Sequence, residues 1–274
     1  MPTADGSGLA RTVSVHIEAQ VHATADVALA IAPSLRYRRS EECFEVTVDG
    51  VAADVRSIDG DHGGRIDVLP GLEPGRLVLD YTATIDGTAG PEPVADADWV
   101  RFIQPSRYCE SDRLGGFARG QFAGLAGIEL VLAVADWVRG NIHYVPGASR
   151  PTDGAVATFL AREGVCRDFS HLAVSLLRAN DLPARVVAVY APGLSPMDFH
   201  AVTEVLLDGR WIVVDPTGLA PRQSMVRIAT GHDAAATAFM TSVGGQVDLT
   251  GIAVSAVVSP DLPTDDGREI LALH

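Results

Sequence analysis

The stretch Glu163-Gly164-Val165-Cys166-Arg167-Asp168-Phe169-Ser170-His171-Leu172 decides how the rest of this chain is read. Phe169, Leu172, Ala173, Leu176 and Leu177 recur at the offsets of an amphipathic helix, and the pattern stops near Asn180-Asp181, ahead of Pro183. Cys166 therefore opens a helix directly after a glycine-containing turn. Free backbone N–H groups at a helix start favour negative charge, and so a thiolate. Gly164 is expected to let the chain turn sharply and leave the sulfur accessible. An isolated cysteine is about as often a small buried hydrophobe, so a reactive role requires a partner.

Downstream residues supply one. Strand runs at 185–190, 201–207 and 210–214 follow the helix, and Asp208-Gly209 between the last two is a two-residue hairpin signal. If the turn is centred there, opposing residue numbers sum to 417, which places His200 opposite Thr217 and two positions diagonal to Asp215. Residues two apart share one face, so His200 and Asp215 project together, ~7–8 Å apart at the backbone. A one-residue bulge would break this parity. Cysteine, histidine and aspartate in this arrangement are a nucleophile, a base and an orienting acid. Taken singly, His200 reads equally well as a satisfied core histidine and Asp215 as a strand-ending cap before Pro216.

Upstream, Val13, Val15 and Ile17 alternate with polar neighbours, as do Phe44, Val46 and Val48, and further runs lie at 28–31, 65–69 and 76–85. Short strands at this spacing predict a β-sandwich. Residues 86–93, Asp-Gly-Thr-Ala-Gly-Pro-Glu-Pro, read as a linker. Leu125, Ile128, Leu132, Ala135 and Val138 then predict a helix ending at Gly140-Asn141. Near the C-terminus a short helix is expected around 233–240, with strand runs around 252–258 and 270–273. The expected fold is α+β: a β-sandwich over residues 1–95, then a core over 96–274 in which the cysteine helix packs on an antiparallel sheet.

Composition narrows the function classes. The 274 residues carry a formal charge of −14, and all 21 basic residues are arginine. Such acidity disfavours nucleic-acid and anionic-membrane partners. Without lysine there is no Schiff base, lysine general base or Walker phosphate loop. Cys43, Cys109 and Cys166 are too few and too scattered for a disulfide framework. The N-terminus lacks a signal-peptide pattern, and no apolar run approaches the ~20 residues that cross a bilayer, so a cytoplasmic location is expected. His143, His171, His200 and His232 show no metal-ligand spacing, so no metal and no cofactor are expected.

Other residues read as structural. His171 lies five positions after Cys166, ~140° round the helix, and points elsewhere. Asp168 is expected to cap free amides or to pair with Arg167 or Arg185. Cys43 reads as strand core, Cys109 as part of a polar strip that could line a groove, and Arg36-Tyr37-Arg38-Arg39 as a solvated loop.

The pieces Tyr144-Val145-Pro146-Gly147, Gly164 to Leu172, Leu182-Pro183-Ala184-Arg185-Val186, Phe199-His200-Ala201, Trp211 and Asp215-Pro216-Thr217 resemble the core of bacterial transglutaminase-like proteins, part of the papain-like cysteine peptidase group. The segment Gln104 to Asp112 looks like the strip between such cores and an N-terminal β-domain. The resemblance covers roughly residues 100–240. It implies Cys166 as nucleophile, His200 as general base and acid, and Asp215 as the residue orienting His200. The Cys166 backbone N–H is the natural first oxyanion donor; Tyr144, Tyr108 and Gln104 are the candidates for the second, with Tyr144 favoured, and Tyr108 and Gln104 are also candidate groove residues. Many relatives carry tryptophan where this chain has Val202, another groove position. The implied activity is cysteine-dependent attack on a peptide or protein carboxamide through a thioester, with hydrolysis favoured over crosslinking. The alternative reading is a peptide-binding or assembly protein that keeps the fold without turnover. Oligomeric state is not legible.

Overall fold

Strict alternation of buried and exposed residues marks Ala10–Val21 (β1) as a strand with one face on a core. In the computed structural model, which describes residues 8–274, it is followed by Ala25–Leu29 (β2), Arg39–Val48 (β3), Val51–Ala52 (β4), Arg56–Asp59 (β5), Arg65–Leu72 (β6) and Gly75–Asp86 (β7). Asp98–Arg101 (α1), Ser111–Gln121 (α2), Gly127–Asn141 (α3), His143–Tyr144 (β8), Ala155–Ala161 (α4), Glu163–Gly164 (β9) and Cys166–Arg178 (α5) come next. The chain ends through Ala184–Tyr190 (β10), His200–Leu207 (β11), Arg210–Val214 (β12), Val226–Gly231 (β13), Met240–Val243 (β14) and Val247–Ser259 (β15). No helix among the described residues is long and apolar enough to cross a membrane.

Two sheets, β15-β1-β7-β3-β4 and β14-β2-β6-β5, close over Val13, Val15, Ile17, Leu29, Leu69 and Leu79 as the expected sandwich. Its membership differs from the 1–95 division. β15 runs antiparallel along all of β1, from Ala10 opposite Ser259 to Val21 opposite Val247, with one irregularity at Glu18/Ala19. β14 pairs with β2. The last strands thus return to the first domain, a long-range pairing that no local pattern announces.

Four smaller expectations fail for physical reasons. The segment around 233–240 forms turns rather than a helix, because the Asp233 carboxylate accepts the Ala235 N–H (3.0 Å) and draws the chain into an Asx turn. Residues 270–273 make no strand; Leu271 accepts one hydrogen bond from the Val213 N–H (2.8 Å) and Leu273 is buried. Cys43 is exposed, since Phe44 and Val46 take the packed side of β3 and its odd-numbered neighbours face out. The Arg36–Arg39 cluster is not a simple solvated loop either. Tyr37 is buried and its hydroxyl accepts the Arg227 N–H (3.0 Å), while Arg36 pairs with Glu92 (3.3 Å).

The core sheet runs β12-β11-β10-β13, all antiparallel. One face carries α5, whose Phe169, Leu172 and Leu176 pack with Val186 and Val205 of the sheet and with Leu114, Val131 and Val134 of α2 and α3. On the other face, Glu204 lies fully buried between Arg185 and Arg227, 2.8 Å and 3.0 Å from their guanidinium nitrogens. Trp211 stacks on Arg185 at 3.7 Å. Burial alone would raise the Glu204 pKa; the two arginines outweigh it and bring it down to about 2. Replacing Glu204 with alanine strands two buried cations. Glu204→Ala should therefore cost about 3–5 kcal/mol in urea unfolding, whereas a loss under about 1 kcal/mol would show that the arginines find other partners.

Candidate active site

Cys166 is the first residue of α5, and its surroundings are set by the carboxylate two positions on. Val165 is extended, and its N–H donates to Asp168 Oδ2 (2.9 Å) while Asp168 Oδ1 takes the Arg167 guanidinium (2.9 Å). Asp168 therefore caps the helix and pairs with Arg167; Arg185 is engaged elsewhere. Gly164 is needed for space, since a Cβ there would fall 2.7 Å from the Asp168 Cβ. The helix is fastened to the sheet one turn later: Ser170 Oγ donates to the Ala201 carbonyl (2.8 Å). That bond ties the cysteine's helix to the residue after His200.

The hairpin has the register read from Asp208-Gly209, with Leu207 opposite Arg210 and Thr203 opposite Val214. Both turn residues have positive φ, 50° and 71°, as a two-residue primed turn requires. His200 Nε2 meets Asp215 Oδ2 at 3.0 Å, and both side chains are buried. Asp215 Oδ1 accepts the Thr217 N–H (2.8 Å) and hydroxyl (2.7 Å), so the carboxylate is held on both oxygens. Arg139 donates to the Asp215 carbonyl (2.9 Å). Burial opposes charge on His200, yet Asp215, with a smaller contribution from the neighbouring Cys166, pushes its pKa up to about 10. Burial opposes charge on Asp215 too, and His200 holds its pKa down.

Cys166 and His200 open together on a cavity of 540 Å³, walled by Tyr108, Phe199, Ala201 and the turn from Ala234 to Phe239. Tyr108 thus sits where a groove residue was expected. Tyr144 is close as well. The parallel pair β8 and β9, with the Val145 N–H on the Gly164 carbonyl (3.0 Å), brings its phenol against the backbone N–H and thiol of Cys166; burial, then that sulfur, push the phenol pKa up to about 12. Gln104 and Val202 do not line the cavity. Gln104 is exposed, with its carbonyl accepting from Arg178 (2.9 Å), and Val202 is sealed against Val187 and Val213 on the opposite face of the sheet. Cys109 is fully buried among the helices, which pushes its pKa up to about 12, so it lines no groove. The turn at 234–239 was missed as cavity wall because its alanines read as helix. No group of three or more histidine, cysteine, aspartate and glutamate residues among the described residues could hold a metal ion.

The family model of the transglutaminase-like superfamily matches residues 118–216, the span that holds Cys166, His200 and Asp215. A solved structure from Cytophaga hutchinsonii, provisionally named a cysteine protease, superposes with a TM-score of 0.84 at 30% identity, over 94% of this chain and 93% of that one. An uncharacterized protein of Mycobacterium leprae is 35% identical over 115 residues, 38% of this chain and 40% of that protein. One from Mycobacterium bovis is 38% identical over 104 residues, 33% of each. The match therefore spans well under half the length of these mycobacterial relatives. The chain belongs to the transglutaminase-like superfamily.

His171 points away from Cys166, as helical geometry requires, but it shapes the cavity. Its Nε2 accepts the Ala234 N–H (3.1 Å) and its ring stacks on Tyr108, centroids 5.3 Å apart, so it holds two walls together. Burial brings its pKa down to about 4, from an ordinary 6.5. A histidine kept neutral in the fold stabilises it fully above pH ~6.5, and that contribution is lost as pH falls towards 4. Relative to His171→Asn, the native chain should lose about 3 kcal/mol of unfolding free energy between those two pH values. Parallel pH profiles of the two chains in urea denaturation would show that His171 is not held neutral.

Proposed function

We propose that this chain is a cysteine-dependent amide-bond hydrolase or acyltransferase acting on peptide or protein carboxamides, with hydrolysis favoured over crosslinking. The observations that carry the reading are the His200–Asp215 hydrogen bond and the opening of Cys166 and His200 on one cavity. With Nε2 bonded to a buried carboxylate, His200 keeps Nδ1 without any other partner, which leaves that nitrogen to pair with the thiolate as an imidazolium.

In this mechanism the Cys166 thiolate attacks the carbonyl carbon and the carbonyl oxygen takes up the negative charge. The Cys166 backbone N–H and the Tyr144 phenol, both at the start of α5, are the donors proposed for that oxygen. Collapse of the adduct breaks the C–N bond, and His200 Nδ1 gives its proton to the departing amine. A thioester remains. His200, now neutral, takes a proton from water or from a second amine, which attacks the thioester and regenerates the thiolate. Asp215 keeps the imidazole oriented throughout and stabilises its charged form.

The three cysteines provide an internal comparison, because Cys43 is exposed, Cys109 sealed and Cys166 at the cavity floor. At pH 6 iodoacetamide should alkylate Cys166 at least about tenfold faster than Cys43 and leave Cys109 unmodified in the folded chain, with His200→Ala removing the excess. Peptide mapping by mass spectrometry reads the three rates. Equal rates at Cys166 and Cys43 would remove the basis for a reactive thiolate.

A further inference from the structure

The hollow beside Cys166 does not stop at the residues around the thiol. A second cavity, of 490 Å³, lies where the sandwich meets the core, and Ala30, Ala235, Ala238 and Thr241 line both. Two of these four come from the sandwich: Ala30 directly follows β2, and Thr241 belongs to β14. The Ala30 N–H bonds the Phe239 carbonyl (2.9 Å), and β14 pairs along β2, so the sandwich and the 234–239 turn form one continuous wall. Every side chain that the two linings share is small.

The two halves differ in chemistry. Beside Cys166 the lining is apolar, with Val186, Ala188, Ile228, Phe199 and Phe239. At the seam it is more polar: Arg101, Asp61, His62 and His232 join it, the two histidine rings packing on Phe102 and Arg101 standing 3.9 Å from Asp61. Each hollow is already in the range of ~300–1,000 Å³ that encloses a whole small ligand, so a single small amide would fill one and leave the other to water. An extended chain, advancing ~3.3 Å per residue with side chains on alternate sides, can occupy both.

We propose that the two cavities are one substrate groove whose occupant is an extended polypeptide, with an apolar side chain seated beside Cys166 and a polar, charge-bearing one at the seam, and that the N-terminal sandwich is there as a groove wall. The reacting end of this groove rests on the function proposed above; binding along it is separable from turnover.

The test uses the full chain carrying Cys166→Ala, which binds without reacting, and fluorescently labelled peptides of three and ten residues sharing one central phenylalanine. Anisotropy titrations should find the longer peptide bound at least about tenfold more tightly. That length ratio should fall towards one in an added Ala238→Trp, which fills the shared stretch, and severalfold in an added Arg101→Ala, which alters the seam alone. Equal affinity for the two lengths, binding of neither, or a ratio unmoved by both substitutions would overturn the groove. Length-dependent binding without any acyl-enzyme in the unsubstituted chain would leave the groove standing and remove the catalytic reading. Acylation by short amides without length dependence would do the reverse.

Discussion

The start of one helix must meet the end of one hairpin, and much of the molecule serves that meeting. Ser170 on α5 is hydrogen-bonded to the Ala201 carbonyl on β11, one residue from His200. The apolar stripe of α5 gives that contact its rigidity, because Phe169, Leu172 and Leu176 are packed on every side by the sheet and by α2 and α3. Small displacements of a packed helix are costly, since interiors are as dense as organic crystals. Side chains from three separate elements can thus be presented to one cavity without a loop having to find its place.

On the opposite face of the same sheet the chain places charge where hydrophobes would serve for stability alone. Arg185, Glu204 and Arg227 form a buried cluster that reaches His62 (3.2 Å) and Glu92 (3.9 Å) on the sandwich side. Such clusters contribute little net stability over well-packed apolar groups, but they are intolerant of misalignment. Here that intolerance acts across the seam between sandwich and core, the same seam that carries the second cavity. Arginine suits this role better than lysine would, because its planar fork can bond a carboxylate while its face stacks on Trp211.

The parts of this fold legible from the residues are those encoded over short distances. The α5 period is complete within one segment, and Asp208-Gly209 pins a register from which the nearness of His200 and Asp215 follows by counting. Long-range partnerships were not legible. Nothing local in Val247–Ser259 says that it lies along β1, and nothing near Tyr37 says that it accepts from Arg227. The alanines at 234–236 favour a helix, but the Asp233 side chain takes the Ala235 amide into a turn instead. Val202 is different: it shares His200's side of β11, the side packed on Val187 and Val213, whereas the cavity is lined from the other side by Ala201, Val186 and Ala188 and reached by His200 at the strand's first position.

The chemistry ascribed to this site depends on His200 being charged because Asp215 and the Cys166 sulfur flank it, despite its burial. Nitrogen-15 NMR of the His200 ring across pH addresses this directly, since the two ring nitrogens report protonation separately. Both should stay protonated through pH 8, with loss only on approach to about 10. A ring that is neutral at pH 7 would contradict that chemistry.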